Sequence, residues 1–341
     1  MPAPIHKTQP QLLAPRTDDG FVKCHEAVSD YGRPLVVREP YGIGRQSPEA
    51  AQALLDRCDA LTLIRSPRLA SVSLAESSEG LWVVEDRRDA IRLSELLAAR
   101  QEQGTPLPPP LVLALGIGIA QALDDLHRTE VGPKLAPLLH LALCPDHVLI
   151  QRGGQIALCG YALGPDPVIA NPRNQDHPVG LLAYASPEQT YAGQRCSPAT
   201  DLFALGSILV EVLEGESPFR GPNRLETLQR VRLARAEACA YTFGRGLPMF
   251  ADVLSRLLMV HPSQRWATPA RFLEALGVEE DTRSLDELAT AVSPLFVDDP
   301  YAAEPSPDSR EGLELVVAPK PPASRVAPVN LRPPSPLDHE E

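Results

Sequence analysis

The chain has 341 residues, a net charge of −12 and 43% hydrophobic residues, which is enough apolar content for a sizeable core spread over about two structural units. The acidic balance, with no sustained Lys/Arg run, argues against nucleic acid as a partner, because phosphate binding needs basic patches. No apolar run approaches the ~20 residues of a membrane span, and the opening MPAPIHKTQPQLL lacks the apolar centre of a secretory leader.

Those two absences predict a cytoplasmic protein without a membrane partner. The six cysteines, Cys24, Cys58, Cys144, Cys159, Cys196 and Cys239, are scattered and form no CxxC. That spacing argues against a zinc site and a dense disulfide framework, and small buried apolar roles are expected instead.

Residues 1–11 read as a polar, Pro-containing lead-in. From Phe21 to Glu85 the pattern favours short strands. PLVVRE and LWVVED are β-branched runs bounded by turn residues. Between them, Ser47-Pro48-Glu49 has the composition of a helix start, with Ser as N-cap and Pro at the first helical position. The helix EAAQALLDRCDALTLI is predicted to end before Ser66-Pro67.

From Pro108 the character becomes helical, with Leu111, Leu115, Ile119, Ala122 and Leu126 on one face. Gly116 and Gly118 fall within this helical pattern, not after a strand, so close packing explains them better than a phosphate loop. Tyr41-Gly42-Ile43-Gly44 reads as a turn. Ser197-Pro198 opens a further helix that should end near Gly215, and Thr268-Pro269 opens one that should end at Gly277.

After Glu280, Pro, Asp, Glu and Ser dominate, which predicts a mostly disordered tail over 280–341. Within it, Ser284-Leu285-Asp286-Glu287 is a capping box leading into an amphipathic stripe of Leu285, Leu288, Ala289, Val292 and Leu295. The stripe should pack back on its own domain or dock on a partner. A strand-rich unit followed by a helical one predicts an α+β, two-lobed fold, with an N-lobe over 12–86 and a C-lobe over 87–279.

Two blocks carry a family signature. Tyr184 to Gln189, YASPEQ, is followed by DLFALGSILVEVLEGESPF and then by HPSQRWATPARFLEAL. Over roughly Leu12 to Gly277 the sequence resembles the bacterial eukaryotic-like Ser/Thr protein kinases. The resemblance implies that Glu188 pairs with Arg265 and that Asp201 holds the catalytic-loop backbone. It also implies that His140 makes a structural hydrogen bond to the following segment.

Phosphoryl transfer needs positioned charge more than covalent chemistry, and the parts that supply it are a known set. HLALCPDH aligns with the catalytic loop, H-R-D-x-x-P-x-N, so the resemblance puts Leu141 at the Arg position, Ala142 at the catalytic Asp and His147 at the Asn. Ala142 can accept no proton, and an imidazole is a poor ligand for Mg²⁺, which prefers hard oxygen donors. LCGYALG aligns with D-F-G and puts Gly160 at the metal-binding Asp.

In the N-lobe, LVVR puts Arg38 at the strand Lys. Counting back from Ser66-Pro67 puts Arg57 at the helix Glu, with Asp56 beside it, so Arg38 and Arg57 should repel rather than pair. The loop APRTDDGFV keeps only Gly20 and Val22 of a Gly-rich loop, and its Asp18 and Asp19 would face a phosphate site with negative charge. Asp146 and Asp166 are the nearest carboxylates that could substitute, and turn or surface roles suit both better.

The expectation is therefore a pseudokinase that binds proteins and regulates. The two alternatives are an atypical active Ser/Thr kinase and a metal-independent nucleotide-binding switch. No metal and no cofactor is expected, except ATP without Mg²⁺, to which Arg38 would contribute. Partners are expected to be proteins, among them active kinases or their substrates, contacted through 160–180 or through the Pro-rich tail.

Overall fold

The structure is a computed structural model that describes residues 5–6, 11–18, 22–29, 34–40, 57–58, 60–61, 64–77, 80–86, 89–131, 136–161, 181–191, 193–234, 236–277 and 282–296. The N-terminal lobe is built on a six-stranded sheet of β1 (Ile5–His6), β2 (Gln11–Asp18), β3 (Val22–Val28), β4 (Pro34–Pro40), β5 (Val72–Ser77) and β6 (Gly80–Asp86). In space the strands run β1-β5-β6-β4-β3-β2. The predicted runs PLVVRE and LWVVED are thus neighbouring central strands, β4 and β6. Their antiparallel register sets Arg38 opposite Val83 and Val36 opposite Glu85.

Strand side chains alternate between faces. Val37 joins Ala27, Leu35, Ala75 and Val84 in one apolar cluster. Arg38, Val83 and Glu85 therefore share the other face, the one that looks toward the helical half. The helix start at Ser47-Pro48, the turn at Tyr41–Gly44 and the loop around Gly20 lie outside the described residues. Of the predicted helix before Ser66, Arg57, Cys58, Ala60 and Leu61 are helical.

The second half begins with β7 (Ala90–Arg92) and α1 (Leu93–Gln103), and is built around α2 (Pro109–His127). Leu111, Leu115, Ile119, Ala122 and Leu126 of α2 are all buried. Gly116 and Gly118 let neighbours approach closely: a Cβ at 116 would meet Leu209 at 3.2 Å, and one at 118 would meet Ile156 at 2.5 Å. This helix corrects the expectation about apolar runs. It has the length and composition of a membrane span, with a mean hydropathy of 1.3. The cause is its central place in the C-lobe core, where apolar residues surround it on nearly all sides.

A two-stranded pair, β8 (Glu130–Val131) and β9 (Ala136–Pro137), leads to the hairpin of β10 (Val148–Gln151) and β11 (Ile156–Leu158), on which β7 also pairs. α3 (Pro198–Glu214) packs on α2. The Ser197 N–H donates to Thr200 Oγ1 at its start, and Gly215 at φ 81° ends it. Then come α4 (Arg224–Leu233), α5 (Ala236–Gly246), α6 (Ala251–Ser255) and α7 (Pro269–Leu276). Thr268 Oγ1 caps α7 by accepting from the Arg271 N–H.

One more helix, α8 (Thr282–Val292), begins two residues before the capping box read from Ser284. Leu288 and Val292 are fully buried, and α8 lies on α2. The folded unit therefore runs past Glu279, because the amphipathic stripe finds its apolar surface at home. Residues 297–341 lie outside the described residues.

Candidate functional site

Asp201, in the first turn of α3, organises the loop that precedes β10. Its carboxylate accepts the backbone N–H of His140 and of Leu141, each at 2.8 Å, and the Nε2–H of His127 at 2.7 Å. Burial opposes its charge, but the hydrogen bond from His127 and the further donors hold Asp201 below the ordinary carboxylate range. Leu141 sits at φ 63°, a left-handed conformation unusual for a Leu, and the bond from its N–H to Asp201 helps to fix it there.

His140 is fully buried. Its Nδ1 accepts from the Ala142 N–H at 3.3 Å, so its Nε2–H donates to the carbonyl of Cys159 at 3.1 Å. Burial pushes the imidazole down to about 4, against the pull of Asp201, so it is neutral at physiological pH. His127 spends its Nε2 on Asp201.

Four residues from both halves meet where strand, loop and β11 converge. Arg38 Nε donates to Glu85 Oε2 at 2.8 Å, and Arg38 Nη1 donates to His147 Nε2 at 3.3 Å. Glu85 Oε1 accepts the Gly160 N–H at 2.7 Å. His147 Nδ1 lies 2.6 Å from the Ala142 carbonyl. A carbonyl can only accept, so the proton is on Nδ1 and Nε2 is free to accept from Arg38. Burial and then the Arg38 charge hold the His147 imidazole well below its usual range, in the neutral form. Burial works against the Arg38 guanidinium, but Glu85 keeps it protonated. Arg38, Glu85 and His147 are all buried.

Gly160 completes this cluster at φ 78°, and a Cβ there would come within 2.6 Å of the His147 ring. The imidazole thus stands in the space that a side chain at 160 would enter. These two positions, 147 and 160, are the ones at which the resemblance places magnesium ligands.

Arg57 differs from expectation. It does not face Arg38 as an unpaired repelling charge. Its Nε and Nη2 donate to the Tyr161 carbonyl at 3.0 and 2.6 Å, and its Nη2 also donates to the Leu139 carbonyl. Burial pushes its guanidinium down to about 10. Each arginine has its own acceptors, and those separate partners resolve the predicted conflict. Tyr161 is buried, donates its hydroxyl to the Ala70 carbonyl, and sets its ring edge-on to His140 with centroids 5.9 Å apart.

Other candidates fall elsewhere. Asp146 accepts from Ser94 Oγ at 2.6 Å and has Arg92 at 3.8 Å, which commits it to the start of α1. Asp19, Gly20, Asp56 and Asp166 lie outside the described residues, as does most of the 160–180 segment. Glu188 and Arg265 form a two-pronged buried pair, Nη1–Oε1 at 2.8 Å and Nη2–Oε2 at 2.9 Å. Arg265 also reaches the carbonyls of Met259, Ala199 and Val260, and Thr200 donates to Glu188. Burial disfavours the Glu188 charge, yet Arg265 holds its carboxyl below the usual range.

Sequence reasoning missed Glu85. The signal was there: in LWVVED, Glu85 shares a strand face with the buried Val83, an unusual place for a carboxylate unless a cation meets it.

A small strand-rich lobe, a larger helical lobe and a loop anchored from the start of a central helix define a protein-kinase-like fold. The chain belongs to the protein kinase domain family, whose description matches residues 56–275. Among curated relatives it is 37% identical over 126 residues to the serine/threonine-protein kinase AfsK of Streptomyces griseus, covering 36% of this chain and 14% of that one. It is 29% identical over 196 residues to the serine/threonine-protein kinase PknL of Mycobacterium tuberculosis, covering 57% and 44%. The chain therefore spans less than half the length of either relative. In fold it is similar to the Mycobacterium tuberculosis PknI kinase domain, with a TM-score of 0.54 and 19% identity, covering 78% of this chain and 93% of that structure.

Proposed function

We propose that this chain is a pseudokinase: a kinase fold that binds other proteins and regulates them without transferring phosphate. One observation carries this reading. The His147 ring occupies the space of any side chain at Gly160, so neither position offers Mg²⁺ an oxygen ligand. The residues present do not fit a magnesium nucleotide. Arg38, the cation that would meet its phosphates, is already engaged by Glu85 and His147. Ala142 offers no base to a substrate hydroxyl, and losing a general base alone costs ~10²–10⁴ in rate.

The fold-holding groups, by contrast, are bonded throughout: Asp201 to the loop, Glu188 to Arg265. A fold kept while the chemistry is dropped suits a protein-binding role. The names of its relatives favour a role within bacterial Ser/Thr kinase signalling, with active kinases or their substrates as partners. The test is incubation of the full chain with radiolabelled ATP and Mg²⁺ or Mn²⁺ beside a generic protein acceptor. The expected result is no transfer above background. Robust transfer by the wild-type chain would overturn the proposal in favour of an atypical active kinase.

A further inference from the structure

The cluster of Arg38, Glu85, His147 and Gly160 also joins the two lobes of the molecule. Arg38 and Glu85 come from neighbouring strands of the N-terminal sheet, β4 and β6. His147 and Gly160 flank the β10–β11 hairpin of the helical half. Every polar end of the cluster has a partner. Arg38 bonds Glu85 and His147, Glu85 takes the Gly160 N–H on its second oxygen, and His147 is anchored to the Ala142 carbonyl. Arg38 Nη2 also lies 3.6 Å from Cys159 Sγ.

A second arginine makes a parallel connection. Arg57, in the helical segment between β4 and β5, donates to the carbonyls of Leu139 and Tyr161. Residues 159–161 are thus held from the N-terminal half at three successive backbone or side-chain points.

We propose that Arg38, Glu85, His147 and Gly160 form an interlobe lock, with Arg57 as its second bolt, which holds the two lobes in one closed arrangement without any ligand. This goes beyond the absence of phosphate transfer. A lobe pair that a nucleotide bridges opens and closes as that ligand comes and goes. A pair bridged by its own buried side chains presents one fixed geometry across the cleft. A buried, hydrogen-bonded ion pair adds little net stability over an apolar contact, and in the proposed lock its role is to specify one arrangement. The lock also explains the two exchanges together. An imidazole at 147 can reach Arg38 because no side chain at 160 occupies the space between them.

Amide hydrogen exchange of the full chain tests this, comparing wild type with Arg38→Met and Arg38→Lys. Methionine removes every donor that Arg38 supplies. Lysine keeps the charge, but a single ammonium cannot hold Glu85 and His147 in the same geometry. The lock predicts a loss of protection of at least tenfold at 159–161 and 83–86 in both variants, with the core amides of α3 unchanged. Protection at 159–161 equal to wild type in Arg38→Lys overturns the lock. If Arg38→Met loses protection everywhere at once, Arg38→Lys alone decides by that criterion. The ATP transfer assay on the same wild-type sample keeps the two proposals separate. Transfer there would overturn the pseudokinase reading, whereas unchanged exchange without transfer would overturn only the lock.

Discussion

Returning an aspartate to position 160 should damage the protein unless His147 is reduced at the same time. Gly160 sits at φ 78°, where a residue with a Cβ costs roughly 1–2 kcal/mol. The new Cβ would lie 2.6 Å from the His147 ring. That ring cannot withdraw cheaply, because Nδ1 is bonded to Ala142 and Nε2 to Arg38. Displacing it gives up two buried hydrogen bonds at roughly 1 kcal/mol each, and more if a partner is left unsatisfied. Gly160→Asp should therefore cost about 3–5 kcal/mol. His147→Asn removes the obstruction and alone should cost about 1–2 kcal/mol through its lost bond to Arg38. The double variant should lose far less than the sum, with a coupling on the order of 2 kcal/mol, within the range found for residues in contact. Denaturant unfolding of wild type, both singles and the double measures the cycle. Losses that add to within ~0.5 kcal/mol would refute the view that 147 and 160 compete for one space.

Two further outcomes follow from the buried charges. Glu188→Ala leaves the Arg265 guanidinium, fully buried at its side chain, with carbonyls alone. Breaking one side of such a pair costs roughly 3–5 kcal/mol, which lowers the melting temperature by on the order of 10 °C for a unit of this size. A shift of less than ~1 kcal/mol would show that the pair does not support the helical half. Acid should also unfold the protein early. His140 is held at about 4 in the folded state against 6.5 for the free side chain, and His147 is displaced in the same direction. The unfolded chain takes up those protons first, so this contribution is complete above pH 6.5 and is lost as pH falls toward 4. His140 alone accounts for roughly 3 kcal/mol. Asp201 and Glu188, held low in the fold, add losses of the same sign at lower pH. A stability that stays flat from about pH 7 to about pH 4.5 would show that His140 is not buried neutral.

What sequence could show depended on whether a contact was local. Helix limits were legible because their signals lie within a few residues: Ser197-Pro198 and Gly215 bound α3, and Thr268 and Gly277 bound α7. The strands PLVVRE and LWVVED announced themselves by composition, but their pairing did not. That pairing puts Glu85 on the same face as Arg38, and without it Arg38 and Arg57 looked like two like charges in conflict. The partners of Arg57 are backbone carbonyls 82 and 104 residues away, and a carbonyl leaves no trace in residue identity. The end of the folded unit was partly legible for the same reason. The residues after Glu280 are polar on average, but the capping box at Ser284 and the stripe of Leu288 and Val292 are local signals, and both side chains are buried where α8 lies on α2.

The packing of the Arg38, Glu85, His147 and Gly160 cluster bears on whether, under the proposed reading, the site has merely decayed. Loss of selection on a site should scatter substitutions without regard to one another, leaving voids and unsatisfied polar atoms, each costing ~1–3 kcal/mol. Among the described residues, no buried polar side-chain atom of Arg38, Glu85 or His147 lacks a hydrogen bond. The exchanged positions also depend on one another in space: His147 needs Gly160 to be bare, and Arg38 needs both Glu85 and His147. A histidine is a particular choice at 147, because it can donate to the Ala142 carbonyl and accept from Arg38 on opposite edges of one rigid ring. Asparagine could do both chemically, but its shorter amide cannot span the two partners. Such mutual fit is what the proposed joint between the lobes requires. Under the proposed lock, Arg38 and Glu85 of the N-terminal sheet and His147 and Gly160 of the helical lobe work as a structural joint, each held by the buried hydrogen bonds of the others.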